Sequence, residues 1–145
     1  DFPPCRTAGA YAEAERRGYE PSRHDRDLAL YAHLIAAVVA ALSGGVLGAV
    51  APLILALRVD AAGPFAYFHL NQSFFYQLAM GLLALLFVAL AALGLGSFFL
   101  LALLGVTLLA AIYPLTLSFR ARQGEWCGYV VLGDFVKRVW PPIFH

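Results

Sequence analysis

The sequence is poor in charged side chains, and the shortage is concentrated in one long stretch. Charged residues make up 13% of the chain, about half of their usual share in soluble domains. Residues 28–119 contain only two of them, Arg58 and Asp60. A soluble domain needs charged surface over most of its length, so this stretch is typical of a segment solvated by lipid. Its apolar runs are continuous rather than alternating, which favours transmembrane helices over a β-barrel.

The sequence also lacks the patterns of common enzymes and of nucleic-acid-binding proteins. The net charge is only +1, and the basic residues form no phosphate-binding stripe. The two cysteines, Cys5 and Cys127, have no metal-ligand spacing. There is no HExxH motif, no pair of intramembrane carboxylates and no phosphate-binding glycine loop. We therefore expect no enzyme activity, no metal site and no nucleic-acid partner.

Hydropathy divides the chain into a polar N-terminal tail (1–27), a transmembrane helical bundle (28–119) and an interfacial C-terminal tail (120–145). The expected fold class is all-α. We expect a polytopic bundle of four hydrophobic helices, of which the first two are short. Their expected ranges are about 28–44, 51–61, 64–93 and 98–119.

The first apolar run, residues 28–57, contains its own helix breakers. As one helix it would be about 45 Å long, which is too long for an upright span. Glycines weaken its middle, and Pro52 is better placed in the first turn of a new helix. We favour a broken pair, and the alternative is one long kinked span that gives three crossings. Gly44 and Gly48 also form a GxxxG pair, which would suit close helix packing if the run were continuous.

The positions of the basic residues favour an even number of crossings. With three crossings, five basic residues would lie on each side of the membrane. If the first run returns as a hairpin or re-entrant pair, all ten Lys and Arg lie on one side, as the positive-inside rule expects. Both termini would then lie on the cytoplasmic, stromal or matrix side. The second helix would be only about 18 Å long, which is shorter than a hydrocarbon core.

Both tails contain short helical patterns. In the N-terminal tail, Ala8 to Arg17 suits a helix with Thr7 as N-cap and Gly18 just past its end. In the C-terminal tail, apolar residues at helical spacing predict an amphipathic helix in the membrane interface, stopped by Pro141-Pro142. These apolar residues are Leu132, Phe135, Val136, Val139 and Trp140.

The third hydrophobic helix opens with a stripe of polar side chains. Their spacing of three and four residues places them on one helix face. Polar groups near the hydrocarbon region are costly unless they face protein or water. We interpret the stripe as interhelical hydrogen bonding, and the alternative is the polar wall of a cavity or conduit. The stripe consists of His69, Gln72, Ser73, Tyr76 and Gln77.

Two histidines are candidate cofactor contacts. His33 lies near the start of the first helix, and His69 opens the polar stripe. Neutral imidazole is a good axial ligand, so either residue could contact a haem or a chlorophyll-type pigment. The other interpretation is a histidine that is simply hydrogen-bonded. The sequence does not require a cofactor, and lipid contacts are also expected.

Four short motifs occur in order within residues 26–138: Ala32-His33-Leu34, Ala51-Pro52-Leu53-Ile54, His69 to Gln77, and Ala121 to Val130. With these motifs the chain resembles the Tic-twenty-like family of small membrane proteins. That family is related to a channel-associated subunit of the chloroplast inner-envelope translocon. The resemblance implies a four-helix arrangement and no settled biochemical activity. Phe75 replaces an Asn of the family pattern and Val130 replaces a Pro; the first change argues against an aqueous path.

We therefore expect a non-catalytic integral membrane accessory or structural subunit of a larger complex, photosynthetic or respiratory. Its expected partners are membrane lipid and other integral membrane subunits. The membrane would be a bacterial cytoplasmic membrane or a plastid or thylakoid membrane. The alternative implied by the resemblance is a component of a protein-translocation channel.

Overall fold

The structure is a computed structural model that describes residues 9–58, 62–94, 96–130 and 132–138. Within these ranges the chain forms six helices and no strand, which confirms the all-α expectation. In chain order the helices are α1 (Ala10–Arg16), α2 (Arg23–Leu42), α3 (Val50–Arg58), α4 (Pro64–Ala92), α5 (Phe98–Arg122) and α6 (Leu132–Arg138).

Two of these helices, α4 and α5, are long and apolar enough to cross a bilayer. They contain 29 and 25 residues, so each is about 40 Å long. Only 22% and 17% of the residues in their most apolar windows are buried, and leucines such as Leu82 at 61% and Leu101 at 66% are exposed, as expected of surfaces that face lipid. Of the described helices only these two qualify. The expectations of four or three spanning helices were therefore wrong.

The first apolar run is broken, as its glycines and proline predicted. A capping box between Ser22 and Asp25 starts α2 five residues earlier than expected. The helix ends at Leu42, where Gly44 and Gly45 adopt positive φ. The Gly45 N–H donates to the Ala40 carbonyl at 2.7 Å, which closes a Schellman motif. The helix α3 that follows has only nine residues, or about 13 Å, and cannot cross a hydrocarbon core.

The turn between α2 and α3, residues 43–49, packs against the interior of α4 and α5. A Cβ added to Gly81 would lie 2.8 Å from the Val46 carbonyl oxygen, and one added to Gly45 would lie 3.6 Å from the Ala84 Cβ. Gly81 lies about 16 Å before the end of α4. The hairpin of α2, this turn and α3 therefore reverses inside the bundle, and we call it the re-entrant hairpin. Gly44 and Gly48 both lie in its turn, so of the two roles that compete for these glycines, a break and a helix-packing face, the structure shows the break.

The start of α2, the end of α3, the start of α4 and the end of α5 lie together at one end of the bundle. The carboxylate of Asp25 accepts hydrogen bonds from the Gly63 N–H at 2.7 Å and from the Tyr19 hydroxyl at 2.9 Å. Ala29, Phe65 and Ala121 pack together beside it. The described basic residues all lie on elements at this end, which we call the charged end. The side of the membrane that it faces stays a prediction.

The helices α1 and α6 pack over the charged end together with the segment 123–130, which we call the C-terminal segment. Gly18 follows α1 with φ 70°, as predicted. Lys137 of α6 donates to the Glu15 carboxylate of α1 at 2.7 Å. Val136 is completely buried, so α6 packs on α1 and α4 instead of lying only in the membrane interface. The predictions for Thr7, Ala8, Val139, Trp140 and Pro141-Pro142 lie outside the described residues.

Candidate functional site

The polar stripe of α4 faces the interior of the bundle. Helix α4 packs on α2, α3 and α5 along this face, while its opposite face carries exposed leucines such as Leu82 and Leu86. The five predicted residues therefore contact protein and not lipid. His69, Gln72, Ser73 and Gln77 are completely buried, and Tyr76 is 6% exposed.

The structure brings the two candidate histidines into direct contact. His33 Nε2 lies 2.9 Å from His69 Nδ1, and His33 Nδ1 lies 2.9 Å from the Tyr129 hydroxyl. Burial raises the pKa of the Tyr129 phenol well above its usual value, so the hydroxyl keeps its proton and is able to donate a hydrogen bond. The arrangement compatible with the Gln72 amide has the hydroxyl donating to His33 Nδ1 and the His33 Nε2–H donating to His69 Nδ1.

Gln72 fixes the orientation of this network. Its Nε2 lies 2.9 Å from His69 Nδ1 and donates to the Cys127 carbonyl at 3.0 Å. Its Oε1 accepts from the Tyr129 N–H at 3.3 Å. Because the amide nitrogen is a donor, His69 Nδ1 must be an acceptor, and the His69 proton lies on Nε2. One glutamine side chain thus ties α4 to the C-terminal segment.

The C-terminal segment reaches Gln72 because two glycines let its backbone fold closely. The end of α5 is closed by Gly124, which has a φ of 85°. A Cβ on Gly128 would lie 2.6 Å from the Gly133 Cα and 3.0 Å from Gln72 Oε1. A side chain at this position would therefore separate the segment from α4.

Aromatic rings hold Tyr129 in place beside the network. Its ring stacks on the ring of Tyr76 with the centroids 4.0 Å apart and the planes 6° from parallel. The Tyr113 ring meets Tyr129 edge-on at 5.2 Å, and the Tyr113 hydroxyl accepts from the Val130 N–H at 3.0 Å. Stacked and edge-to-face pairs add about 0.5–1.5 kcal/mol beyond the area they bury. These contacts make the C-terminal segment part of the bundle core.

Gln77 supplies a hydrogen bond that the backbone of α5 lacks. Pro114 lies inside that helix and has no N–H, so it cannot donate to the Ala110 carbonyl four residues earlier. Gln77 Nε2 donates to this carbonyl at 2.9 Å. In a membrane, backbone groups freed by a proline are satisfied by neighbouring helices in this way. Gln77 Oε1 has no hydrogen-bond partner and lies against Gly48 of the re-entrant hairpin.

Two further buried polar residues join the elements and were missed by the sequence analysis. Asn71 is completely buried, and its Nδ2 donates to the Tyr11 hydroxyl at 3.0 Å and to the Tyr67 carbonyl at 2.8 Å. Asp25 is 3% exposed. Asn71 directly precedes Gln72 in a largely apolar helix, and a polar residue in such a helix indicates a contact with protein. The spacing of the stripe skips this position. The predicted Ser73 donates to the Ala32 carbonyl of α2 at 2.8 Å.

The second nitrogen of His69 has no hydrogen-bond partner. The ring centroid of Phe65 lies 4.5 Å from that of the imidazole, and the Phe68 centroid lies 5.1 Å from it. Both ring nitrogens of His33 are already hydrogen-bonded. Among the described residues, no three His, Cys, Asp or Glu side chains are grouped as metal ligands. Pigment or haem contact by His33 or His69 stays a prediction.

Comparison with known proteins identifies the family. No curated protein and no solved structure matches the chain. A family model described as the magnetosome magnetite crystal formation protein family matches residues 24–136. This range includes the re-entrant hairpin, both spanning helices and every residue of the His33–His69–Gln72–Tyr129 network.

This match overturns the Tic-twenty-like resemblance, and with it the expected role in protein translocation. The photosynthetic setting and the plastid location also have no support in this family. The motifs behind the resemblance are short, and their polar members His33, His69 and Gln72 occupy interhelical packing positions, which do not discriminate between families of helical membrane proteins. The chain belongs to the magnetosome magnetite crystal formation protein family.

Proposed function

We propose that this chain is a non-catalytic accessory protein of the magnetosome membrane that contributes to the formation of magnetite crystals. The observation that carries the proposal is the family match over residues 24–136. That range is nearly the whole described bundle, so the family relationship concerns the folded unit itself. The chain would act as a small integral subunit beside larger membrane partners.

The hydrogen bonds that the buried polar side chains make to neighbouring elements support a structural role. Gln72 binds the backbone of the C-terminal segment, Gln77 binds the α5 backbone and Ser73 binds the α2 backbone. Each of these side chains joins α4 to a different element. In hydrocarbon such bonds are worth about 0.6–2 kcal/mol each. The polar stripe thereby positions the elements of the bundle.

The exposed apolar surface supports an accessory role beside lipid and other membrane subunits. The α4–α5 hairpin extends past the turn of the re-entrant hairpin and exposes leucines on both helices. Leu86 is 51% exposed and Leu104 is 54% exposed. Lipid or a partner helix can cover this surface without any change in the fold.

Gene deletion in a magnetosome-forming bacterium that encodes this chain tests the proposal. Electron microscopy should show magnetite crystals that are shorter, fewer or irregular, and a plasmid copy of the full chain should restore them. Crystals unchanged in number, length and shape after deletion would contradict the role in crystal formation. The accessory role is tested separately by native gels of the protein in mild detergent. Migration only as a monomer would contradict it.

A further inference from the structure

The re-entrant hairpin carries a groove on its outer side, between α2 and α3. Ile35 and Val39 form one wall, and Val50, Ile54 and Leu55 form the other, with Arg58 at one end. The groove has a volume of about 290 Å³. The walls consist of apolar side chains, and the one charged side chain, Arg58, lies at the end of the groove.

The direction of the groove follows from the helix periodicity. Val50, Ile54 and Arg58 are four residues apart, so they lie along one face of α3. The groove therefore runs for about 12 Å, from the turn of the hairpin to the charged end of the bundle. With the charged end at the headgroup level, the apolar walls lie at the depth of the acyl chains. Arg58 then reaches the headgroups, as arginines near helix ends do.

We infer that this groove binds an acyl chain of an anionic phospholipid, with the Arg58 guanidinium on the phosphate of a headgroup that has no neighbouring cation, unlike that of phosphatidylcholine. A guanidinium binds phosphate through two parallel hydrogen bonds. Arg58 makes no ion pair with another described residue. Ile35 and Ile54 are 43% and 53% exposed, so both walls are open to the bilayer. The inference depends on the membrane placement and is independent of the role in crystal formation.

Charge complementarity distinguishes this occupant from a partner helix. A second copy of the chain offers mainly apolar side chains at this depth, whereas a phospholipid supplies an acyl chain and an adjacent anion. The lipid phosphate would lie at the end of the apolar groove, next to the Arg58 guanidinium. The groove and Arg58 together match that combination.

Native mass spectrometry of the full chain tests the inference. The protein is released from nanodiscs made of equal amounts of phosphatidylglycerol and phosphatidylcholine, and the lipid molecules that stay bound are counted. We expect one retained phosphatidylglycerol and little phosphatidylcholine. Equal retention of the two lipids, or a dimer without lipid, would overturn the inference.

Two variants with matched controls locate the site. Arg58→Gln should lower phosphatidylglycerol retention about fivefold, the size of one basic contact at a membrane surface. Arg122→Gln removes the same charge from the end of α5 and should leave retention unchanged. Ile54→Trp fills the groove and should remove the bound lipid, whereas Leu57→Trp, on a more exposed face of α3, should not. An equal loss in Arg58→Gln and Arg122→Gln, or lipid kept in Ile54→Trp, would overturn the inference.

Discussion

His33 Nε2 and His69 Nδ1 lie 2.9 Å apart in the interior of the bundle, although the two residues are 36 positions apart in the chain. The contact joins the re-entrant hairpin to the first spanning helix. Tyr129 and Gln72 extend it to the C-terminal segment. Three parts of the chain that are distant in sequence are therefore held by one connected set of hydrogen bonds.

The link between Gln77 and Pro114 predicts an energetic coupling. Gln77→Leu leaves the Ala110 carbonyl without its donor, although it also removes the unpartnered Gln77 Oε1. In a Pro114→Ala background residue 114 can donate to that carbonyl, so the glutamine is no longer needed. We expect a coupling energy of about 1 kcal/mol in the double-mutant cycle. Unfolding free energies measured in detergent check this, and strictly additive effects would refute the link.

Two helical glycines in different surroundings predict opposite effects on stability. Gly81→Ala places a Cβ against the Val46 carbonyl and should lower the free energy of unfolding by about 1–3 kcal/mol. Gly105→Ala meets nothing within 4 Å and should raise it by about 0.5–1 kcal/mol, because alanine has the higher helix propensity. Thermal unfolding in the same detergent measures both. Equal changes in melting temperature would mean that the hairpin turn does not pack on α4.

The re-entrant hairpin predicts a difference in accessibility between the two turns. The background is the chain with Cys5 and Cys127 replaced by alanine. Ser97→Cys lies at the exposed start of α5 and should react with a membrane-impermeant maleimide from one side. Leu47 is 53% exposed, but it lies in the turn beside the interior of α4, at the depth of the hydrocarbon. Leu47→Cys should therefore react from neither side, because a thiolate does not form without water. Labelling of Leu47→Cys as fast as Ser97→Cys would show that α2 crosses the bilayer completely.

Cys127 reports on the attachment of the C-terminal segment. Burial raises the pKa of its thiol, so at pH 8 less thiolate is present than in an ordinary cysteine, and alkylation is slow. The rate should keep rising with pH beyond the ordinary thiol pKa of about 8.5. Gln72→Leu removes the bond to the Cys127 carbonyl and should increase the rate about tenfold.

The control for this experiment is Leu86→Ala, which changes an exposed side chain of α4 and should leave the alkylation rate as it is. Both variants are measured with Cys5 replaced by alanine, so that only Cys127 reacts. An unchanged rate in Gln72→Leu would show that Gln72 does not hold the segment.

Local signals in the sequence predicted the break in the first apolar run and the buried face of α4. Gly44, Gly45 and Pro52 act within a few residues, and the stripe from His69 to Gln77 follows the helix period. These features need no knowledge of distant parts of the chain. The predicted number of spanning helices was wrong because hydropathy does not distinguish a short re-entrant helix from a helix that crosses the bilayer.

The partners of the stripe could not be predicted from periodicity. Tyr129 N lies 57 positions after Gln72 Oε1, and the close approach of Gly128 to Gly133 that brings them together depends on tertiary packing. The role of Gln77 depends likewise on Pro114 in another helix. The same limit explains the wrong family, since short motifs at packing positions were compared without the rest of the fold.

The central claim is that this family member acts through its folded bundle and not through chemistry at its histidines. Crystal length in the deletion strain carrying His69→Asn tests it most directly, because the Asn Oδ1 can replace Nδ1 as acceptor while the imidazole is lost. We predict crystals of wild-type length at wild-type protein level. Crystals like those of the deletion strain, with the protein present and folded, would contradict the claim.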